Sequence, residues 1–338
     1  MGRFSDVLTI INGKNQKGVE NPHGKYPIYG SGGIMGYADD FICNGQTVII
    51  GRKGSINKPI FVDGPFWNVD TAFGLSAQTD ILLPKYLYYF CEKFDFEQLN
   101  TTVTIPSLTK ANLLNIEIKL PSLSEQEIIV RRLDKINSLT ELRKQQLAKL
   151  DELVKAQFVE MFGDPVQNNK CFPLRYGENI FKLSNGKAVP EEKRRERGFP
   201  AYGGNGISWY TDKALFFKDT LVIGRVGFQS GNVHLAKGPL WVTDNAMYIT
   251  EYNDKEIDLV FLHAQMEHID FTRFQDAGDL KKVTQKPFMQ MEFILPPILL
   301  QKNFTYFVDQ IANAQLTILQ SLDKLEMLRK SLMQEYFG

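Results

Sequence analysis

Two segments decide the fold: Thr47-Val48-Ile49-Ile50-Gly51-Arg52-Lys53-Gly54 and Thr220-Leu221-Val222-Ile223-Gly224-Arg225-Val226-Gly227. Each is a short apolar run rich in β-branched residues and closed by a glycine turn, a pattern that predicts a buried strand. The likeness continues outward in both directions. Asn12-Gly13-Lys14 returns as Asn185-Gly186-Lys187, and Tyr26-Pro27-Ile28-Tyr29-Gly30 as Phe199-Pro200-Ala201-Tyr202-Gly203. Gly64-Pro65-Phe66-Trp67 with Asp70 and Ala72 returns as Gly238-Pro239-Leu240-Trp241 with Asp244 and Ala246. Leu120-Pro121 and Gln126 return as Leu295-Pro296 and Gln301, and Met161-Phe162-Gly163 as Tyr336-Phe337-Gly338. The order is constant and the shift stays at about 173 to 175 residues, so the chain is one unit copied once.

Each copy has two parts. The first is rich in glycine, aromatics and β-branched runs, with helical patches at 83–90 and 259–268, and predicts an α+β globule. The second, at 124–161 and 299–337, holds no Pro or Gly and is dense in Leu, Lys, Glu and Gln. Ile129, Leu133, Ile136, Leu139, Leu147, Leu150 and Val154 fall on one helical stripe. Phe304, Val308, Ile311, Ile318, Leu322, Leu325, Leu328 and Leu332 fall on another. Ser122 and Glu125 have the spacing of a capping box, and Gly163-Asp164-Pro165 is a stop. Helices of this length run roughly 55–60 Å at 1.5 Å per residue, and such a stripe needs a partner helix. The expected domains are globules at 1–121 and 164–297 and long helices at 122–163 and 298–338, with 166–178 as a linker. The helices are expected to pair as an antiparallel coiled coil, with pseudo-twofold symmetry and the globules at opposite ends.

Lys+Arg and Asp+Glu are balanced at 39 each. A nucleic-acid surface on such a chain must be local, or completed by a partner. Three dispersed cysteines indicate reduced thiols, and no signal peptide or bilayer-length apolar run is present, so a cytoplasmic protein with no membrane association is expected. Neither Tyr-Gly turn fits a nucleotide-binding fingerprint, there is no Walker motif, and the four histidines do not stand at zinc spacing. No catalytic centre and no metal site is expected. Two similar globules on a spacer suit a two-part target on a rod, because a protein twofold maps onto spaced half-sites in DNA. A coiled-coil protein scaffold is the alternative.

The chain resembles the specificity subunit of type I restriction-modification systems over essentially its whole length. The resemblance rests on the Asn-Gly-Lys motifs, the Tyr-Gly-x-x-Gly and Ile-Gly-Arg-x-Gly turns, the Leu-Pro pair opening each helix, and the run from Leu153 through Phe162-Gly163-Asp164-Pro165. It implies two target-recognition domains reading a bipartite, asymmetric site in double-stranded DNA. It also implies two modification (methyltransferase) subunits and restriction (translocase-nuclease) subunits as partners. S-adenosylmethionine, ATP and Mg²⁺ would be held by those partners and none by this chain.

Candidate DNA contacts follow from residue chemistry. Arg52 and Arg225 occupy equivalent turns; each either reads guanine or phosphate or pairs with Asp70 or Asp244 to brace the fold. Lys53, Ser55, Asn57 and Lys58 follow the first turn, and Gln229, Ser230 and Asn232 the second. A loop before each long helix carries Thr102, Thr104, Ser107 and Lys110, or Lys281, Lys282, Thr284 and Lys286, chemistry suited to phosphates. Arg194 and Arg195 are candidate backbone contacts or a solvated strand edge. His263, His268, Trp67 and Trp241 are expected to be structural.

Overall fold

A computed structural model describes residues 1–99, 107–228, 230–276 and 281–338. The fold is α+β, and the chain divides into two compact units, Met1–Lys144 with Leu319–Gly338, and Gln145–Ile318.

In the first unit an antiparallel sheet runs in the order Leu8–Asn12, Ala72–Ala77, Thr47–Gly51, Ile60–Val62. Thr47–Gly51 is buried throughout, which is why it reads as an unbroken apolar run and not as an alternating one. A second sheet is built from Gly33–Ala38, Tyr26–Gly30 and the parallel Trp67–Asn68. The second unit repeats both sheets. The first runs Phe181–Asn185, Ala246–Tyr252, Thr220–Gly224, Val233–Ala236, and the other gains an edge strand, Arg194–Arg195. Even the register slip in the Tyr-Gly hairpin recurs, between Ile28 and Tyr29 and between Ala201 and Tyr202. The stretch 166–178, expected as a linker, contributes a strand at Leu174–Tyr176 that pairs with Glu292–Ile294.

The Asn-Gly-Lys motifs are explained by packing. A Cβ on Gly13 would lie 1.7 Å from the Val69 carbonyl oxygen, and one on Gly186 2.1 Å from that of Thr243. The following lysine is held by its backbone: its carbonyl accepts the indole N–H of Trp67 in the first unit (3.0 Å) and of Trp241 in the second (2.8 Å). Both tryptophans are therefore framework residues.

The long helices span Leu123–Phe162 and Ile298–Phe337. The capping box is formed: the Ser122 N–H donates to Glu125 at 2.9 Å, and the Glu125 N–H donates to the Ser122 hydroxyl at 3.3 Å. In the first unit the opening of one helix meets the end of the other. Leu133 and Met333 pack with Tyr89, Arg329 pairs with Glu92 at 2.7 Å, and the Arg329 Nε donates to the Asn137 side-chain oxygen. The second unit holds the converse contacts, with Phe158 and Phe162 edge-on to Phe304 and Gln315 donating to Asp151. Each pairing is antiparallel. Two residues assigned to the apolar stripes are exposed instead, Leu139 at 38% and Leu328 at 48%. Towards the middle of the helices, away from the ends that pack into a globule core, the buried stripe is narrower.

Candidate nucleic-acid interface

Three segments that are distant in sequence converge in each unit. In the first, the turn after Thr47–Gly51 receives the loop preceding the long helix. The Leu108 N–H donates to the Arg52 carbonyl (2.9 Å), and Lys53 bridges Ser107. The Tyr-Gly turn lies against the same place, because a Cβ on Gly51 would approach Ser31 Cβ to 2.9 Å. The second unit is built alike. The Val283 N–H donates to Arg225 O (2.9 Å), the Gly227 N–H donates to Lys281 O (2.9 Å), and Val226 bridges Lys282. A Cβ on Gly204 would meet Gly224 Cα at 3.4 Å. Backbone hydrogen bonds join two of the segments and close packing adds the Tyr-Gly turn, so the three form one edge of each globule on which exposed side chains differ between the copies.

Arg52, Lys53, Ser55, Asn57 and Lys58 are all exposed on the first edge. The Asn57 amide is committed to the protein, donating to Asp95 (2.8 Å) and accepting the Phe96 N–H (2.7 Å). In this structure it braces the turn. Buried Ile56 pins the turn from below. Ser107 is half-buried beside Lys53. The Lys110 ammonium donates to the Ile10 carbonyl (2.9 Å), and the matched Gln285 of the second unit reaches Asn185 (3.0 Å). Both tie the pre-helix loop to the first strand. Thr102, Thr104 and Gln229 lie outside the described residues.

On the second edge Lys281, Lys282, Thr284, Lys286 and Asn232 are exposed and Arg225 is half-buried. Ser230 is only 1% exposed, and its carbonyl accepts from Gln275 (3.0 Å). It shapes the turn and presents nothing to a ligand. Arg194 stacks over the Trp209 ring at 4.3 Å and pairs with Glu191, while Arg195 pairs with Asp212 at 2.8 Å. Both are exposed, so these pairs are weak and yield to a phosphate at little cost. Sequence reasoning missed Phe228, which stands between Gly227 and Gln229 and is 86% exposed. The signal was an aromatic directly after a turn glycine, where the other copy has Ser55.

The bracing ion pairs to Asp70 and Asp244 are not formed among the described residues. Arg52 lies over the Phe73 ring at 5.7 Å, and Arg225 donates to the backbone oxygen of Asp244 at 3.4 Å. The turns are braced by backbone instead, Arg52 N–H to Thr71 O and Arg225 N–H to Asn245 O, both 2.8 Å.

Among the described residues of these edges no nucleophile is paired with a base. Burial pushes the Cys43 thiol up to about 12 and raises that of Cys91 too, so neither supplies a thiolate near neutral pH. The His263 Nε2 lies 3.2 Å from Val233 O and the His268 Nδ1 2.8 Å from Ala264 O. Among the described residues no group of three or more His, Cys, Asp or Glu could hold a metal ion, and no helix is long and apolar enough to cross a membrane.

Fold and surface together define a duplicated recognition protein: one framework carried twice, with different side chains on equivalent edges. The model of the type I restriction modification DNA specificity domain family matches residues 1–152 and 177–327, and the chain belongs to that family. A specificity subunit of the Escherichia coli type I restriction enzyme EcoprrI is 28% identical over 247 residues, covering 67% of this chain and 60% of that protein. A putative type I specificity subunit of Mycoplasma genitalium is 25% identical over 296 residues, covering 82% and 75%. Among solved structures, a type I restriction-modification S subunit from M. genitalium shares the fold with a TM-score of 0.70 at 19% identity, over 100% of this chain and 95% of that one. A chain from a structure of a type I restriction-modification system does so at 0.63 and 14%, over 99% and 96%. The chain is accordingly a specificity chain and not an enzyme.

Proposed function

We propose that this chain selects the DNA site for a type I restriction-modification complex, each globule reading one half of a bipartite, asymmetric sequence. The observation that supports this is the convergence of three segments into an equivalent edge on each globule, with the framework kept and the side chains changed. Lysines and arginines on those edges meet phosphates, and the side chains that differ between copies meet base edges. Two modification subunits and the restriction subunits assemble on the chain in the cytoplasm. They bring S-adenosylmethionine, ATP and Mg²⁺.

The test is co-expression with the neighbouring modification subunit, followed by genome-wide methylation mapping by single-molecule sequencing. A new adenine-methylated motif of two short parts around a fixed unspecified gap supports the reading. A soluble, co-purifying complex that leaves no new motif sinks it in favour of a coiled-coil protein scaffold, which the balanced charge of 39 against 39 favours.

A further inference from the structure

Phe228 is the most exposed large hydrophobic side chain among the described residues, at 86%. Described residues near it in the turn are anchored by backbone hydrogen bonds. Gly227 N–H donates to Lys281 O, Ser230 N–H to Gly227 O, Gly231 N–H to Gly224 O and Gly224 N–H to Asn232 O, at 2.8–3.0 Å. Gln275 closes the turn on Ser230. Gly231 holds φ +99° with Phe271 so near that a Cβ would come within 2.8 Å of it. A phenyl ring next to backbone anchored at Gly227 loses less freedom when it binds than one on an unanchored segment. Its neighbours include cations, polar groups and the apolar side chains of Trp209 and Val226. Lys281 and Lys282 stand across the turn, and the ring forms one wall of a cleft shared with Asn205, Ser208, Trp209, Thr243 and Asn245.

We propose that Phe228 is an aromatic wedge that enters the base stack of the half-site read by the second globule. This rests on the function proposed above. Water leaves such a ring at a gain, a base step covers both of its faces, and the flanking lysines hold the phosphates on either side. The compliant step is pyrimidine–purine, which unstacks and kinks at least cost. The matched position in the first globule is Ser55, so the first half-site is read without a wedge and its DNA is left stacked.

The experiment uses the full chain assembled with its modification subunits and duplexes of the mapped motif carrying 2-aminopurine at each position of the second half-site in turn. Wild type is expected to raise the fluorescence at one step. Phe228→Ala is expected to abolish that rise and weaken cognate binding about tenfold or more, with assembly and melting temperature unchanged, while Phe228→Trp restores both. Equal binding and equal fluorescence for Phe228→Ala overturns the wedge. So does loss of subunit assembly in that variant, which makes the ring a protein contact. A wild-type complex that binds no bipartite duplex overturns the function itself, and that outcome is separate because it precedes any variant.

Discussion

Gln126 and Gln301 show how much one repeated side chain decides. Each lies in the first turns of a long helix and is fully buried. Gln126 accepts the Leu83 N–H and donates to the carbonyls of Ile81 and Pro121, at 2.9–3.0 Å. Gln301 accepts the Asp258 N–H and donates to those of Glu256 and Pro296, at 2.7–2.9 Å. Each amide fastens the start of its long helix to the start of the short helix packed on it. Replacing either by Ala strands a buried N–H and two carbonyls, so each substitution is expected to cost about 1–3 kcal/mol, read from urea unfolding. Glutamate at either site is expected to do worse, because it cannot donate to the two carbonyls when ionised. The neighbouring Glu125 gives a pH-dependent signal. Its hydrogen bonds from Ser122 hold its carboxyl below the usual range. The stabilisation is complete above the ordinary glutamate value and is lost as pH falls through the lowered one. Glu125→Gln should remove that acid-side component from a stability-versus-pH curve, and an unchanged curve would mean the box contributes nothing. On the recognition edge, Lys281→Ala and Lys282→Ala should each reduce the slope of log K against log salt by about 0.9 while leaving the recognised sequence alone. A changed sequence with an unchanged slope would make them base readers. Lysine chemistry by itself named phosphate as the expected partner, and the structure engages one of those lysines, Lys110, with the Ile10 carbonyl. The partners of Asn57 and Ser230 were not legible, because Asp95, Phe96 and Gln275 lie about 38 to 45 residues away in the chain and no local pattern carries that pairing.

At the scale of elements, the repeated Phe-Gly at the end of each long helix has a definite task. Phe162 closes the first helix and is buried among Phe158, Phe261 and Phe304 in the second unit's core. Phe337 closes the second helix and packs on Tyr86 and Phe90 in the first unit. Each core is thus completed by a ring from a segment distant in sequence, and the Gly338 carbonyl accepts the Lys119 ammonium at 2.8 Å. Phe162→Ala is expected to cost about 3–5 kcal/mol, from a cavity with no side chain free to fill it. Phe337→Ala should cost less, since that ring is only half-buried. Equal losses by calorimetry would contradict this account of the packing. The two central strands, the two long helices and the capping box were legible because apolar runs, periodicity and cap chemistry are local signals. The positions of Leu139 and Leu328 were not. A helical stripe gives the apolar arc but not its width, and that width is set by the partner, which along these helices is a globule core at the ends and less in between.

For the whole molecule, duplication within one chain frees each globule to change alone. The framework is held by elements that recur: the buried central strand, the Asn-Gly-Lys crossing under its tryptophan, and the glutamine lock on the long helix. The candidate edge is held mainly by backbone hydrogen bonds, with side-chain braces at Asn57, Lys110 and Gln285, so its remaining exposed side chains vary at little cost to folding. The duplicated order was readable from end to end in the sequence, whereas the side chains facing DNA were not, since groove and register are properties of the complex. Modular reading follows from this separation. Exchanging residues 164–297 for the corresponding globule of a relative, with both long helices retained, should replace one half of the methylated motif and leave the other half untouched. The junctions fall where the chain leaves Gly163 and where Leu295-Pro296 enters the second helix, so the amide of Gln301 and the ring of Phe162 keep their partners only if the incoming globule supplies equivalent carbonyls and an equivalent aromatic pocket. A chimera chosen to supply them should fold and methylate a hybrid motif, read by the same sequencing assay. If both halves of the motif change together, the two edges do not act independently and the duplication has some other purpose than divided reading.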